Sequence, residues 1–277
     1  MKFTKMHGAG NDYIYVNCFE QTVPDPEKTA RFVSDRHFGI GADGLILIAP
    51  SESADVRMIM YNADGSRGKM CGNGVRCVGK YAYDHGLAVK PEITVETDSG
   101  IKTLTMQVQD GRAVGARVDM GAPILRPSEI PMDAPGDSFI NQPLIVDGKT
   151  VLGCAVSMGN PHLVVHMPEV DTLPLDRMGP KFEHHPLFPQ RVNTEFIQVI
   201  NPGEIKMRVW ERGSGETLAC GTGACASVVA GALAGKHQNE VLVHLLGGDL
   251  VIAFDPEANR VWMTGPAVEV FTGEIPL

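Results

Sequence analysis

The chain repeats itself. The turn CGNGVRC begins at Cys71 and the turn CGTGAC begins at Cys220, an offset of 149 in a sequence of 277 residues. The same offset aligns GNDYIYV, from Gly10 to Val16, with GNPHLVV, from Gly159 to Val165, and VRMIMYNADG, from Val56, with IKMRVWERGS, from Ile205. Beyond the cysteine turns, EITVETDSG from Glu92 matches EVLVHLLGG from Glu240 at 148, so one residue is lost in or near the helix between the blocks. One glycine-rich match arises by chance. Several blocks at one offset mark a duplication, and a duplication fixes architecture before any local pattern does.

Each half carries alternating apolar and β-branched runs suited to strands, among them IYV, LILIA, VRMIMY and TVET, and one helix that opens after its CG-x-G turn. The helices close at Gly86 and Gly235, glycine being the common residue just past a helix end. The second helix consists almost entirely of small apolar residues, so its own half's sheet should enclose it. The expected fold is α+β: two pseudo-symmetric domains, each a curled sheet around a central helix, related by a pseudo-twofold axis. Evenly spaced Pro123, Pro127, Pro131 and Pro135 put the junction between Asp110 and Asp137.

Net charge is −9, without any stripe of Lys or Arg, which argues against nucleic acid and for a small-molecule partner. The uncharged run Thr217 to Gly235 approaches membrane-spanning length, yet its glycines and small residues suit a buried helix, so no membrane association is expected. The six cysteines include no CxxC pair, which disfavours a zinc ribbon, a thioredoxin-type motif and a secreted disulfide framework. No apolar stretch of signal-peptide type stands at the N-terminus. A cytoplasmic protein is expected.

A residue just before a helix faces unpaired backbone N–H groups and the positive end of the helix dipole. A cysteine there is expected to be unusually acidic, and unshielded glycine amides beside it can cradle a carboxylate. Two such cysteines on opposite sides of one carbon could invert a stereocentre, one removing a proton and the other returning it. The remaining four, Cys18, Cys77, Cys154 and Cys225, are read as small buried apolar residues. The stretch GIGADG, Gly39 to Gly44, matches GxGxxG, but a strand follows it where a dinucleotide fingerprint needs a helix.

NADGSRGKMCGNGVR, Asn62 to Arg76, and ERGSGETLACGTGA, Glu211 to Ala224, resemble the two active-site signatures of the diaminopimelate epimerases. KMHGAGND from Lys5, SMGNPH from Ser157, RVNTEF from Arg191 and MTGPA from Met263 are similar to further segments of that family, so the resemblance spans nearly the whole chain. It implies the diaminopimelate epimerase-like fold and cofactor-independent interconversion of LL- and meso-diaminopimelate, a step toward lysine and peptidoglycan. It implies that Cys71 and Cys220 are the acid/base pair, with His162 and Glu211 supporting catalysis. Substrate-binding positions carried over are Asn11, Asn62, Gly72, Asn73, Asn160, Asn193, Glu211, Arg212, Gly221 and Thr222. No metal site and no cofactor are implied, and a homodimer is. In the family the last strand returns to the first domain, which gives bounds of 1–117 plus 266–277 around Cys71 and 118–265 around Cys220. The family position that holds a glutamine in some members is Gly44 here, so one substrate contact is absent or comes from backbone.

Two rivals remain. A proline racemase or hydroxyproline epimerase would share fold and thiols, but typically has histidine after the first CG, where this chain has Asn73. A thiol redox protein would instead join Cys71 and Cys220 in a disulfide.

Overall fold

A computed structural model describes all 277 residues, Met1–Leu277. The chain is a sheet-dominated α+β fold with few helices, and it divides into two compact units: Met1–Asp119 with Thr264–Leu277, and Met120–Met263. Each division lies two residues from the sequence-based boundary at 117 or 266, because a strand runs through each.

The first unit holds β1 (Lys2–Gly8), β2 (Asn11–Asn17), α1 (Pro26–Ser34), β3 (Gly44–Ala49), β4 (Val56–Asn62), a short β5 (Arg67–Gly68), α2 (Gly72–Asp84), β6 (Glu92–Thr97), β7 (Gly100–Gln109) and β8 (Arg112–Gly121), whose last residues enter the second unit. The second unit holds β9 (Phe139–Val146), β10 (Lys149–Ser157), β11 (Pro161–His166), α3 (Leu175–Glu183), β12 (Asn193–Asn201), β13 (Glu204–Glu211), β14 (Gly215–Glu216), α4 (Gly221–Leu233), β15 (Glu240–Leu245), β16 (Gly248–Asp255) and most of β17 (Arg260–Pro266). The final strand, β18 (Val268–Glu274), belongs to the first unit and pairs antiparallel with β1.

Strand pairing repeats with the sequence. β1–β2 and β10–β11 are antiparallel, β2–β3 and β11–β12 parallel, β3–β4 and β12–β13 antiparallel, β4–β6 and β13–β15 parallel. β9 pairs with β10 as β18 pairs with β1, so the chain's last strand fills in the first unit the place that β9 holds in the second. Helices α2 and α4 are displaced by 149 at both ends, as are α1 and α3. The residue lost between the halves therefore lies after the helix, in the loop to β6 or β15, where a deletion disturbs no packing.

The sheets wrap the inner helices. α2 packs on β1, β2, β4, β6 and β7, and α4 on β10, β11, β12, β15 and β16. Every residue of α2 from Gly72 to Ala82 is buried, and α4 from Gly221 to Gly231 is buried but for half-buried Thr222. No helix is long and apolar enough to cross a membrane, and the uncharged run at Thr217 to Gly235 yields an enclosed helix of 13 residues.

The strands that carry these helices alternate their side chains between two cores. On β3, Leu45 and Leu47 join Ala30 and Val33 of α1, while Ile46 faces α2, its Cδ1 close against Gly74. On β12, Phe196 joins Phe182 of α3, the rings edge to face at 5.1 Å, while Glu195 faces α4. Helices α1 and α3 are additions to the one helix per half expected from sequence. For α1 the signal was present: Asp25 accepts a hydrogen bond from the Lys28 N–H at 3.1 Å and Pro26 stands at the first turn, a helix start in itself. α3 starts at Pro174 without a side-chain cap and contains Pro180, so it forms by packing on β12, β13 and β14 rather than by propensity.

Gly86 and Gly235 end α2 and α4 with φ of 75° and 67°. Open space surrounds the position at which either would carry a Cβ, so backbone conformation alone selects glycine there. Gly235→Ala is expected to cost roughly 1 kcal/mol, read as a lower urea midpoint; an unchanged midpoint would contradict the left-handed helix end.

Candidate active site

Cys71 and Cys220 are the N-cap residues of α2 and α4, both in extended backbone conformation. The two-residue strands β5 and β14, held on β4 and β13, deliver the chain to these caps. At Cys71 the sulfur itself accepts the Gly74 N–H at 3.4 Å, taking up a helix donor that would otherwise be unpaired. Each sulfur thus stands at the start of its helix, beside the first-turn amides and the positive end of the helix dipole.

In the second unit the surroundings of Cys220 are ionisable. Buried His162 stands between two oxygens, Nδ1 at 2.7 Å from Glu195 Oε1 and Nε2 at 3.0 Å from Asn160 Oδ1. The other oxygen of Glu195, Oε2, is buried without a partner. His162, Glu195 and Cys220 present a nitrogen, an oxygen and a sulfur within 4.8 Å of one another. Such a donor set is of the kind that ligates a soft divalent cation, though two of its three members are already joined by the 2.7 Å contact of His162 with Glu195. Cys220 Sγ lies 3.6 Å from Thr222 Oγ1. Burial pushes the Glu211 carboxyl up, partly offset by the hydrogen bond from Thr217.

Acidity at Cys220 departs from the sequence expectation. Burial first, then the negative charges of Glu211 and Glu195, push this thiol well above its ordinary value; the Thr222 hydroxyl and Gly223 N–H pull the other way and do not prevail. Desolvation disfavours the thiolate more than the helix start favours it. Cys220 therefore rests as a thiol. Gly223 is fixed by the same cluster, since a Cβ there would lie 2.5 Å from Glu195 Oε1.

In the first unit the matching positions are not acids and imidazole. At the offset of 149, Tyr13 stands where His162 does, Ile46 where Glu195 does, and Asn62 where Glu211 does. The Cys71 thiol donates to Asn11 Oδ1 at 3.2 Å. Tyr13 is buried beside Cys71 and Asn11, and burial pushes its phenol well up. Asn62 donates to Ser66 Oγ at 2.9 Å, and buried Asn73 accepts from Arg76 at 2.9 Å. At Gly44 a Cβ would meet the Tyr61 carbonyl oxygen at 2.2 Å, so this backbone admits no glutamine or other side chain there. The residue beside it, Asp43, accepts from Asn11 Nδ2 at 2.7 Å.

The remaining predicted binding residues are already tied into the second unit. Asn193 is buried, donating to the Pro161 carbonyl and accepting the Arg212 N–H, each at 2.9 Å. The Arg212 guanidinium reaches the Gln190 carbonyl at 3.0 Å. Among the other cysteines, burial raises the thiols of Cys18, Cys154 and Cys77, the last to about 11, as befits packing residues; Cys18 is only half-buried. Asp43, Glu195 and Tyr13 were not singled out from sequence. Tyr13 and Glu195 had one available signal, their alignment at offset 149 with His162 and Ile46.

The folded Cys220 thiol holds its proton above the pH at which an unfolded cysteine, of pKa about 8.5, loses it. Its contribution to stability is complete below that value and is lost as pH rises through the folded pKa. Removing one of the two nearby charges lowers that pKa. Glu211→Gln is expected to speed iodoacetamide labelling of Cys220 at pH 8, followed by peptide mass spectrometry, and slower or equal labelling would show that the charge has no hold on this sulfur.

The family model described as diaminopimelate epimerase matches residues 3–125 and 154–270. A diaminopimelate epimerase of Acetivibrio thermocellus is 58% identical over 277 residues, covering 100% of this chain and 99% of the relative. Among solved structures, a phenazine biosynthesis protein of the PhzF family from Bacillus anthracis superposes with a TM-score of 0.71 at 18% identity, covering 100% of this chain and 99% of that one. A probable proline racemase from Agrobacterium radiobacter K84 gives 0.70 at 15%, covering 100% and 93%. At such identities the last two show a shared fold alone. With the match running through both cysteine turns and both units, the chain belongs to the diaminopimelate epimerase family.

Proposed function

We propose that the chain interconverts LL-diaminopimelate and meso-diaminopimelate by two-base proton transfer between Cys71 and Cys220, supplying meso-diaminopimelate for lysine and peptidoglycan synthesis. The observation that carries this is the recurrence of a cysteine N-cap at the start of an enclosed helix in both units of a chain of this family. One sulfur, as thiolate, takes the proton from the substrate's Cα; the other, as thiol, gives a proton to the opposite face; the reverse reaction exchanges their roles. The first-turn amides at Gly72 and Asn73, and at Gly221 and Thr222, hold the carboxylate as it gains enolate character. That stabilisation takes the part an added cofactor would play.

The Cys220 thiol, raised by burial and two carboxylates, is the proton donor in the resting enzyme. The His162–Glu195 pair and Glu211 give it ionisable neighbours through which its proton can be replaced. Asn11, Asn62, Asn160 and Arg212 meet the amino and carboxylate groups of the substrate, and Asn193 holds Arg212 by its backbone. The two units are the Cys71 and Cys220 halves of the enzyme, which works in the cytoplasm as a homodimer, away from nucleic acid and membranes.

Turnover of LL-diaminopimelate in deuterated water, without added cofactor or metal, is expected to give meso product carrying deuterium at Cα. A thiol redox protein gives neither, and a proline racemase leaves diaminopimelate unlabelled while exchanging proline. Cys71→Ala and Cys220→Ala should each lower epimerisation on the order of a hundredfold or more with an unchanged circular dichroism spectrum. Near-normal turnover by either variant would sink the two-base reading.

A further inference from the structure

The repeated asparagines Asn11 and Asn160 are each oriented by a different neighbour. In the second unit the Asn160 carbonyl oxygen is turned to His162 Nε2. In the first unit the neighbour is Asp43, which has no polar counterpart, its repeat position being Val192. Asp43 Oδ2 accepts from Asn11 Nδ2 at 2.7 Å and from the Asp12 N–H at 3.1 Å. The carboxylate is itself anchored, its Oδ1 receiving Arg36 Nη2 at 3.0 Å. Its backbone is held at both ends as well, the N–H on Asp12 O at 2.8 Å and the carbonyl on the Ala63 N–H at 3.0 Å.

An asparagine amide has one accepting and one donating end, so fixing one end fixes the other. With Nδ2 on Asp43, Oδ1 faces Cys71 Sγ at 3.2 Å and can only accept a proton from it. Turned over, the amide would set its oxygen against a carboxylate oxygen with no proton between them, and would offer N–H to the sulfur. The first orientation favours the thiol and the second the thiolate.

We propose that Asp43 is a positioning residue for Cys71: by holding Asn11 Nδ2 it presents the Asn11 carbonyl to the sulfur and thereby sets how readily Cys71 gives up its proton. This rests on Cys71 being one of the two acid/base thiols, and it adds a residue that never touches the substrate. It also distinguishes the two halves, since an anchored carboxylate sets the proton balance at Cys71 as the His162–Glu195 pair bears on it at Cys220.

The test is the pH profile of iodoacetamide labelling at Cys71, resolved by peptide mass spectrometry on the full chain. Other charged or titratable groups bear on the pair: Tyr13 and Tyr15 from β2, Cys77 and Arg76 from α2, and Arg36, Asp12 and Lys5 around Asp43. None of them is altered in Asp43→Asn, in which residue 43 can donate to Asn11 and let its amide turn over. Labelling at pH 7 is then expected to rise about tenfold, the scale of one hydrogen bond to a charged group, with the profile midpoint displaced to lower pH.

Asp12→Asn removes a neighbouring charge and keeps the Asn11–Asp43 bond, so its Cys71 profile should match that of the unchanged chain. An unchanged profile in Asp43→Asn, or an equal displacement in both variants, would overturn the proposal, the second by showing that charge alone and not amide orientation acts on the sulfur. Should Asp43→Asn fail to fold, Asp43→Ser is read in the same way. Labelling needs no turnover, so the outcome is separate from whether the chain epimerises diaminopimelate.

Discussion

A helix enclosed on its flanks by its own sheet has only its ends to offer to a ligand. α2 and α4 are of this kind, and in each the residue at the offered end is a cysteine. The enclosure demands side chains that let strands come close on every side, which α4 meets with alanine, glycine, serine and valine, and it sets the first-turn amides beside the sulfur. Fold and chemistry thus share a cause, since the packing that buries the helix also aims its dipole and its cysteine.

Duplication gave both units this frame, and the side chains around each sulfur differ between them. Ile46 and Glu195 occupy the same strand position and press on the same glycine of the cysteine turn, at Gly74 and Gly223. One is a hydrocarbon and the other a carboxylate with a buried oxygen that has no partner. A buried acid of that kind is costly unless something uses it, and His162 at 2.7 Å with Cys220 beside it is where it is used. The first unit keeps the cheaper apolar choice and arranges its sulfur through neutral groups, Asn11 and Tyr13.

Much of this was legible in the amino-acid order. The offset of 149 relates the two inner helices to the residue, because a duplication carries its spacing into structure without depending on propensity, although both start inside the CG-x-G turn rather than after it. The α1 start could have been read from Asp25 and Pro26, whereas α3, begun at a proline and interrupted by another, forms only because β12, β13 and β14 lie beneath it. At the site, the cysteines and the repeated asparagines were visible as motif residues. The partners that orient them were not: Asp43 lies outside every repeated block, and Glu195 hides as an acid within an apolar strand. Thiol acidity was misjudged at Cys220 because sequence shows the helix start but not the degree of desolvation, and here burial outweighs the dipole. Gly44 shows the opposite limit, a position whose meaning depends on a carbonyl 2.2 Å from an atom it lacks.

The return of β18 to β1 has a bearing on how the chain reaches this state. Met120–Met263 is one uninterrupted stretch, whereas the other unit is assembled from two stretches far apart in sequence, joining Lys2–His7 to Val268–Glu274. On a ribosome β1 must therefore wait, its edge bare, until Val268–Glu274 is made. The Cys71 half is therefore finished only after the Cys220 half has been made, so a chain cut before Val268 would carry the whole of Met120–Met263 and still lack the other unit's finished sheet.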